Sequence, residues 1–224
     1  MNTRPTPTVE DYLGVIYILE RDGEVINSKR LVDWIGVSAP TVTATVKRMM
    51  RDGWIVVDAK KLIHLTAAGR AAAASLLRRH MLLELLLTRV LDVPWSQTHE
   101  EAHRIEHTIS EDTLTRMLAQ FEDASTCPHG NPLPGQEAAV QEWRPLSSAP
   151  LDQVVWIKRV HESIEEDAAL MAYLEKQGIV PGAAVTVREI LPFNQTLGLE
   201  VNDSKVVLGD AVARRIFAAP EEQP

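Results

Sequence analysis

Four side chains that can bind a metal ion lie within nine consecutive residues. They recur at intervals of three, four and eight residues: His99, His103, Glu106 and His107. Residues three or four apart share one face of an α-helix, so these side chains can converge on one cation or on two adjacent cations. The spacing predicts a divalent-metal site on a helix.

Histidine is concentrated around this segment. Four of the seven histidines lie within 28 residues: His80, His99, His103 and His107. Such clustering favours metal binding over four unrelated surface or core residues. The other three are expected to be ordinary surface or core histidines: His64, His129 and His161.

One further pair has donor atoms suited to a metal. Cys127 and His129 are two residues apart, but the loop around them is rich in proline and glycine and offers no further donors. We expect both to be structural. Glu100 and Glu101 are expected to be solvated charges.

A first helix is predicted from Thr8 to Gly23, with an apolar stripe of Tyr12, Leu13, Ile16, Tyr17 and Leu19. Two further short helices are predicted from their capping residues. Asn27 precedes a helix over 29–35, which Gly36 ends, and Ser38 caps a second helix over 41–52. Two short helices that meet at a turn containing glycine form a helix-turn-helix. Residues 54–65 then read as a β-hairpin, which is the wing of a winged helix.

The rest of the chain divides into a helical part and a part made of short strands. A long helix is predicted over 66–91, and another, carrying the metal-binding pattern, from Ser96 or Thr98 to about Phe121. From residue 152 onwards, short alternating strands predict a β-barrel of SH3 size. The expected domains are a DNA-binding winged helix at 1–75, a helical domain at 76–140, a linker at 141–150 and the barrel at 151–218.

Composition indicates an ordinary globular protein with an uneven charge distribution. The net charge is −8, yet residues 1–75 carry ten Lys and Arg against eight Asp and Glu. Such local positive charge suits a surface that contacts phosphate. The single cysteine excludes an internal disulfide, and the sequence has neither an apolar run of about 20 residues nor a secretory signal. Cytoplasm is the expected compartment.

A hydrolase is the alternative from a different functional class. Residues 99–103 match H-E-x-x-H, in which Glu100 would act as the general base beside zinc. The longer metzincin pattern fails, because Glu106 and Ile109 occupy its glycine and third-histidine positions. A third ligand such as Glu122 would be needed, and the helix-turn-helix would have no role. We therefore expect no enzymatic activity.

Five segments, in their order and spacing, resemble the diphtheria toxin repressor family of metal-dependent transcriptional regulators. They are Val9–Tyr17, Ser38–Met49, Leu65–Arg70, Glu106-His107 and Cys127–Gly135. The resemblance implies a mainly α fold with a small β part. Its expected domains are a winged helix-turn-helix, a helical dimerisation and metal-binding domain, and an SH3-like, FeoA-like β-barrel.

The resemblance also implies two metal sites per chain. The primary site maps onto Asp11, His103, Glu106 and His107. The ancillary site maps onto His80, Glu84 and His99. In some members the C-terminal domain donates a ligand to the ancillary ion, and here Glu166 or Asp167 would serve.

The donor types bear on which metal binds. Iron-type members have Met and Cys at the positions of Asp11 and His103, whereas manganese-type members have carboxylates at both. Gly14 removes a further carboxylate that some manganese-type members carry. Oxygen and nitrogen donors suit Mn²⁺ and Fe²⁺, and we expect Mn²⁺ first and Fe²⁺ second. Without metal, the like charges of Asp11 and Glu106 are expected to repel, so that the first helix is free to fray.

DNA contact is expected from the second helix of the helix-turn-helix and from the wing. Base edges would be read by Ser38, Pro40, Thr41 and Thr43. Phosphates would be bound by Lys47, Arg48, Arg51, Lys60 and Lys61. Ala44 stands where related repressors carry an amide, which removes one base contact.

The implied partners are a second copy of the chain and double-stranded palindromic operator DNA, since one recognition helix reads few base pairs. Neither a membrane nor a small organic substrate is expected. The implied function is repression of metal-homeostasis genes. The alternative is a winged-helix regulator that has a purely structural metal site and responds to another effector.

Overall fold

The computed structural model describes residues 4–140 and 142–220. The chain forms two compact units: the first runs to residue 79 and includes residues 106–108, and the second comprises residues 80–105 and the chain from residue 109 onwards. In the described residues, no helix is both long enough and apolar enough to span a bilayer.

The first unit contains the predicted helix-turn-helix and wing. Its helices are α1 (Pro7–Arg21), α2 (Ser28–Ile35) and α3 (Ala39–Arg51), and its antiparallel hairpin pairs β1 (Ile55–Val57) with β2 (Ile63–Leu65). Local chemistry sets the helix boundaries. Asn27 Oδ1 accepts a hydrogen bond from Arg30 N at 3.0 Å, and Gly36 ends α2 with a left-handed φ of 74°.

The core of the first unit is built around α1. Its apolar stripe packs against α2, α3 and the wing, and the fully buried side chains are Leu13, Ile16, Leu19, Leu31, Val42 and Met49. Because α1 shares one core with α2, α3 and the hairpin, the position of α1 is tied to the position of the helix-turn-helix. The predicted winged helix is confirmed.

The helix predicted over the metal-binding pattern is interrupted. The helix α4 (Ala67–Arg89) is continuous, but the pattern lies on α5 (Thr98–Ile105) and a 3₁₀ turn (Glu106–Thr108), and α6 (Glu111–Gln120) begins anew. Ser110 caps α6 by accepting a hydrogen bond from Thr113 N at 3.2 Å, and the residue before it is extended. The single helix predicted to about Phe121 is therefore wrong, because this cap creates a new helix start.

The C-terminal part is an antiparallel sheet of six strands. In chain order they are β3 (Arg144–Pro145), β4 (Val154–Val160), β5 (Ala184–Leu191), β6 (Thr196–Val201), β7 (Ser204–Gly209) and β8 (Ile216–Ala219). The order in the sheet is β3-β8-β4-β5-β6-β7, so the hydrogen-bonded strands form an open series. Three short helices accompany them: α7 (Glu162–Glu165), α8 (Ala168–Gln177) and α9 (Asp210–Ala213).

Part of the segment expected to be a linker belongs to this sheet. Arg144 and Pro145 pair with β8, and Leu146 is fully buried in the C-terminal core. Residue 141 lies outside the described residues. Apolar Leu146 accounts for the difference, because burying it requires the preceding residues to dock on the sheet.

Two helical glycines differ in the space around them. A Cβ on Gly69 would lie 1.9 Å from the carbonyl oxygen of Trp54, whereas a Cβ on Gly14 would lie 3.5 Å from Leu76.

We expect Gly69→Ala to lower the free energy of unfolding by about 1–3 kcal/mol through overpacking. Gly14→Ala is the matched control, for which helix propensity predicts a gain of up to about 1 kcal/mol. Urea unfolding of the metal-free variants measures both, and equal stability of the two variants would contradict the steric argument.

Candidate metal centres

A group of three metal-capable side chains lies in the first unit. Asp11 comes from α1, and Glu106 and His107 come from the 3₁₀ turn. His107 Nε2 lies 3.1 Å from Asp11 Oδ1 and 3.5 Å from Glu106 Oε1. These three residues, here called the first cluster, are three of the four predicted primary ligands.

Glu10 is a participant that the sequence analysis missed. Its side chain is 4% exposed, and its Oε2 lies 2.8 Å from His107 Nδ1. Arg79 Nη2 donates to Glu10 Oε1 at 3.0 Å. Helical spacing could have identified it, because Glu10 is three and four residues from Leu13 and Gly14 and so lies on the buried face of α1.

His103, the fourth predicted primary ligand, belongs to the second unit. It is exposed and lines a cavity of about 240 Å³ there, together with His99, Glu165 and Glu166. Its coordination at the primary site stays a prediction. Glu100 borders the same cavity, and its carboxylate is paired with Arg104 on the surface.

A second group lies within the second unit. His80, Glu84, His99 and Glu165 each place a possible ligand atom within 4.8 Å of the others. His80 Nε2 lies 3.1 Å from Glu84 Oε1 and 3.1 Å from His99 Nδ1. The three predicted ancillary residues are therefore brought together, and with Glu165 they are here called the second cluster.

The C-terminal residue that lies against His99 is Glu165, and neither Glu166 nor Asp167 does so. Glu165 Oε2 lies 2.9 Å from His99 Nδ1. Glu166 only borders the cavity, and Asp167 caps α8 by accepting a hydrogen bond from Leu170 N at 2.9 Å. The chain forms two short helices here, and Glu165, which ends the first, is the residue that faces His99. Metal binding by Glu166 or Asp167 stays a prediction.

Glu165 is held in place by the Cys-Pro-His-Gly-Asn loop. Asn131 Nδ2 donates to Glu165 Oε1 at 2.5 Å and to the carbonyl oxygen of Val160 at 2.8 Å. Arg159 Nε donates to Asn131 Oδ1 at 2.5 Å. These contacts are buried, so the loop and β4 define where this carboxylate lies.

Cys127 and His129 lie beside the second cluster and have the further donors that the sequence analysis did not find. They form a metal-capable group with Glu84. His129 is fully buried, and its Nδ1 lies 3.2 Å from Glu84 Oε1. Within the described residues that Nδ1 makes no aligned hydrogen bond, whereas Nε2 lies 3.1 Å from the carbonyl oxygen of Trp95. Tertiary structure, not local sequence, supplies the carboxylates.

The second cluster combines opposite charges in a buried place. Burial alone would raise the pKa of Glu84, but the charges of His129 and His80 outweigh it and hold this pKa well below its usual range. Burial alone would lower the pKa of His99, but hydrogen bonds to Glu165 and Glu84 raise it to about 9. Burial and the nearby carboxylate charges raise the pKa of the Cys127 thiol.

This donor set fits a divalent cation. Buried carboxylates need compensating positive charge, which protonated imidazoles supply in the metal-free protein. An ion can take their place once the imidazoles lose their protons. His129 Nδ1, which lies 3.2 Å from Glu84 Oε1, is a further buried nitrogen that could coordinate the ion once it has lost its proton.

The predicted DNA-binding residues lie on α3 and in the loop of the wing. Ser38 caps α3 through Thr41, and a shallow depression is lined by Ala39, Pro40, Thr43, Ala44 and Lys47. All the predicted DNA-binding residues are exposed except Arg48, which is half-buried. Arg51 pairs with Asp52 at 2.8 Å.

Three consecutive family descriptions match the chain. Residues 5–63 match "Iron dependent repressor, N-terminal DNA binding domain", residues 66–135 match "Iron dependent repressor, metal binding and dimerisation domain", and residues 144–220 match "FeoA domain".

Relatives extend over most of the chain. The iron-dependent repressor IdeR of Mycobacterium leprae is 37% identical over 80% of this chain and 83% of its own length. The diphtheria toxin repressor of Corynebacterium diphtheriae is 33% identical over 93% of this chain and 95% of its own length. Among solved structures, a manganese-dependent transcriptional repressor in complex with manganese is 27% identical, with a TM-score of 0.81 over 95% of this chain and 100% of that one.

Two neighbouring carboxylates provide a matched test of the second cluster. We expect Glu165→Gln to weaken metal binding there at least tenfold, because it removes an anionic donor, whereas Glu166→Gln should leave binding unchanged. Competition with a chromophoric chelator measures both, in a His107→Ala background that disables the first cluster. Equal losses in the two variants would contradict the assignment of Glu165.

Metal binding at the second cluster should release protons. His99 has a raised pKa of about 9, so at pH 7.5 its imidazole is protonated in the metal-free protein and must lose that proton to coordinate. Apparent affinity should rise as pH increases from about 6.5 to 9. The stability of the metal-free protein depends on pH in the opposite direction. The stabilisation that charged His99 provides is complete below about pH 6.5 and is lost as the pH rises through 9.

Calorimetry of the same His107→Ala protein, in two buffers of different ionisation enthalpy, counts the protons released. We expect at least one per ion, and fewer in a His99→Gln variant. An identical binding enthalpy in both buffers would contradict the protonated state of His99.

Proposed function

The chain belongs to the diphtheria toxin repressor family of metal-dependent transcriptional regulators, and we propose that it represses metal-homeostasis genes when Mn²⁺, or secondarily Fe²⁺, occupies its sites. As a member of this family, it is a metal-dependent DNA-binding repressor. The observation that carries the proposal is that the first cluster lies in the same compact unit as the helix-turn-helix and takes one of its residues from α1. The proposed compartment is the cytoplasm.

The proposed switch acts through α1. Asp11 and Glu106 carry like charge on either side of His107 Nε2, and their repulsion disfavours a close approach. A divalent cation, when bound, supplies positive charge that both carboxylates share. Asp11 then holds α1 against the 3₁₀ turn, and α1 fixes the DNA-binding elements through the core that they share.

Energetically, this is a population shift. Metal stabilises the DNA-binding arrangement only by its higher affinity for that arrangement. A coupling of about 1–3 kcal/mol would change DNA affinity roughly 5- to 150-fold. No new fold is required, only a narrower distribution of α1 positions.

The donor types support Mn²⁺ first for the first cluster, where Asp11 and Glu106 supply oxygen and His107 supplies nitrogen. We propose His103 as the fourth ligand. For the ancillary ion we propose His80, Glu84, His99 and Glu165. The Cys127 thiol beside that site, once deprotonated, would add a softer donor and favour Fe²⁺ or Zn²⁺ there relative to Mn²⁺.

DNA recognition is proposed for the exposed end of α3 and for the wing. The shallow depression at Pro40, Thr43 and Ala44 is apolar enough to accept a thymine methyl group. Lys47, Lys60 and Lys61 would contact phosphates. A homodimer would place two such helices on the halves of a palindromic operator.

The test of this function is operator binding as a function of metal. We expect Mn²⁺ to raise the affinity of the wild-type protein for its operator roughly 5- to 150-fold over a chelated control. Glu106→Ala should abolish this stimulation while leaving the metal-free fold intact, as measured by circular dichroism. Glu122→Ala is a control for loss of an exposed carboxylate. Fluorescence polarisation with Mn²⁺, Fe²⁺, Co²⁺ and Zn²⁺ reports the ranking, and full stimulation of Glu106→Ala would refute the primary site.

A further inference from the structure

We propose that Glu10 is a positioning residue of the first cluster: it accepts the Nδ1 hydrogen of His107 and thereby directs the Nε2 lone pair toward the metal position. The inference rests on the proposed function, because it assigns a role beside the same site. It adds a residue that supplies no metal-coordinating atom in this arrangement.

The two nitrogens of His107 face different carboxylates. Nδ1 lies 2.8 Å from Glu10 Oε2, whereas Nε2 lies 3.1 Å from Asp11 Oδ1. A neutral imidazole carries one hydrogen, and the hydrogen bond made by one nitrogen decides which nitrogen is left to bind a metal. With its hydrogen held at Nδ1 by Glu10, His107 presents Nε2 to the side where Asp11 and Glu106 converge.

Burial distinguishes the two sides of the ring. The side chain of Glu10 is 4% exposed, whereas that of Asp11 is 38% exposed. An ion arriving from solvent therefore meets the Nε2 side. The Nδ1 side of the ring is buried and makes the hydrogen bond to Glu10. That hydrogen bond is stronger because it lies away from water.

Arg79 fixes the orientation of the Glu10 side chain. Its Nη2 donates to Glu10 Oε1 at 3.0 Å, and both side chains are almost fully buried. Arg4 Nε adds a longer contact to the same oxygen, at 3.4 Å. With Oε1 facing Arg79 and Oε2 facing His107, Glu10 has neither oxygen directed at the metal position.

A purely structural role is the competing explanation, since the Glu10–Arg79 ion pair also joins α1 to α4. The two roles predict different results for the conservative variant. Glu10→Gln removes the charge and weakens the ion pair, but it retains an oxygen that can accept from Nδ1. Glu10→Ala removes both.

The experiment compares wild type, Glu10→Gln, Glu10→Ala and the control Glu20→Gln, which removes a carboxylate from the same helix far from His107. The first measurement is Mn²⁺ affinity at both sites by electron paramagnetic resonance. The second is the ¹H–¹⁵N histidine spectrum of the Zn²⁺-loaded protein, in which Zn²⁺ serves as a diamagnetic probe. Thermal unfolding of each metal-free variant reports fold and stability.

We expect Glu10→Ala to weaken Mn²⁺ binding at the first cluster by about 10- to 100-fold, the usual effect of losing a residue that orients a metal-bound histidine. Glu10→Gln should lose less Mn²⁺ affinity at the first cluster. In both Glu10 variants the affinity at the second cluster should be unchanged, and Glu20→Gln should bind Mn²⁺ as wild type does at both clusters. In Zn²⁺-loaded wild type and Glu10→Gln, the Nδ1 hydrogen of His107 should be visible and slow to exchange. In Glu10→Ala it should be lost to exchange with water.

Wild-type affinity at the first cluster in Glu10→Ala would overturn the inference. So would equal losses of affinity in Gln and Ala variants that track only their loss of stability, because that pattern marks a structural ion pair. Should Glu10→Ala fail to fold, a Glu10→Gln spectrum with the hydrogen on Nε2 of His107 would overturn it by itself. Failure of the proposed function is distinguishable, because wild type would then bind no Mn²⁺ at the first cluster.

Discussion

The two clusters depend on one requirement: each buried carboxylate must lie next to a positively charged or hydrogen-donating group. Glu10, Glu84, Glu106 and Glu165 are each almost fully buried, and isolated buried anions are too costly to persist. Every one of them lies beside a histidine, an arginine or both. The metal-free protein therefore holds its candidate ligand side chains close together by ion pairs and hydrogen bonds.

The two clusters meet this requirement in different ways. In the first, a single imidazole separates two carboxylates, and the buried ion pair of Glu10 and Arg79 lies behind it. In the second, three imidazoles surround Glu84, and the pKa of His99 is raised to about 9. The second cluster is thus stabilised by its own protons, which makes metal binding there a competition with hydrogen ions. The first cluster is the one that lies in the same unit as the DNA-binding elements.

The first cluster is connected to the helix-turn-helix through packing. Asp11 is on α1, and α1 shares a core with α2, α3 and the wing. A contact that restricts the position of Asp11 therefore also restricts the position of the helix-turn-helix. In this structure Glu10 already joins α1 to Arg79 without metal, so the expected freedom of the first helix is limited near Glu10 by a contact that the sequence analysis did not include.

Elements whose chemistry is local could be predicted from the sequence. Caps at Asn27 and Ser38, the turn at Gly36 and the periodicity of α1 follow from residues within a few positions of one another, and so does the clustering of histidines. The family resemblance was carried by short segments in fixed order. This resemblance predicted that Asp11 lies close to Glu106 and His107, which are nearly a hundred residues away in the chain. No local pattern could have predicted that proximity.

The groups that come together in a buried space from distant parts of the chain could not be predicted in this way, because tertiary packing places them. Cys127 and His129 looked isolated because their carboxylate partners, Glu84 and Glu165, are far away in the chain. Glu165, and not Glu166 or Asp167, lies against His99, because the break between two short helices cannot be located from helical spacing. Helical spacing places Glu10 on the buried face of α1, but its partners Arg79 and His107, on which the stability of a buried charge depends, were set by packing.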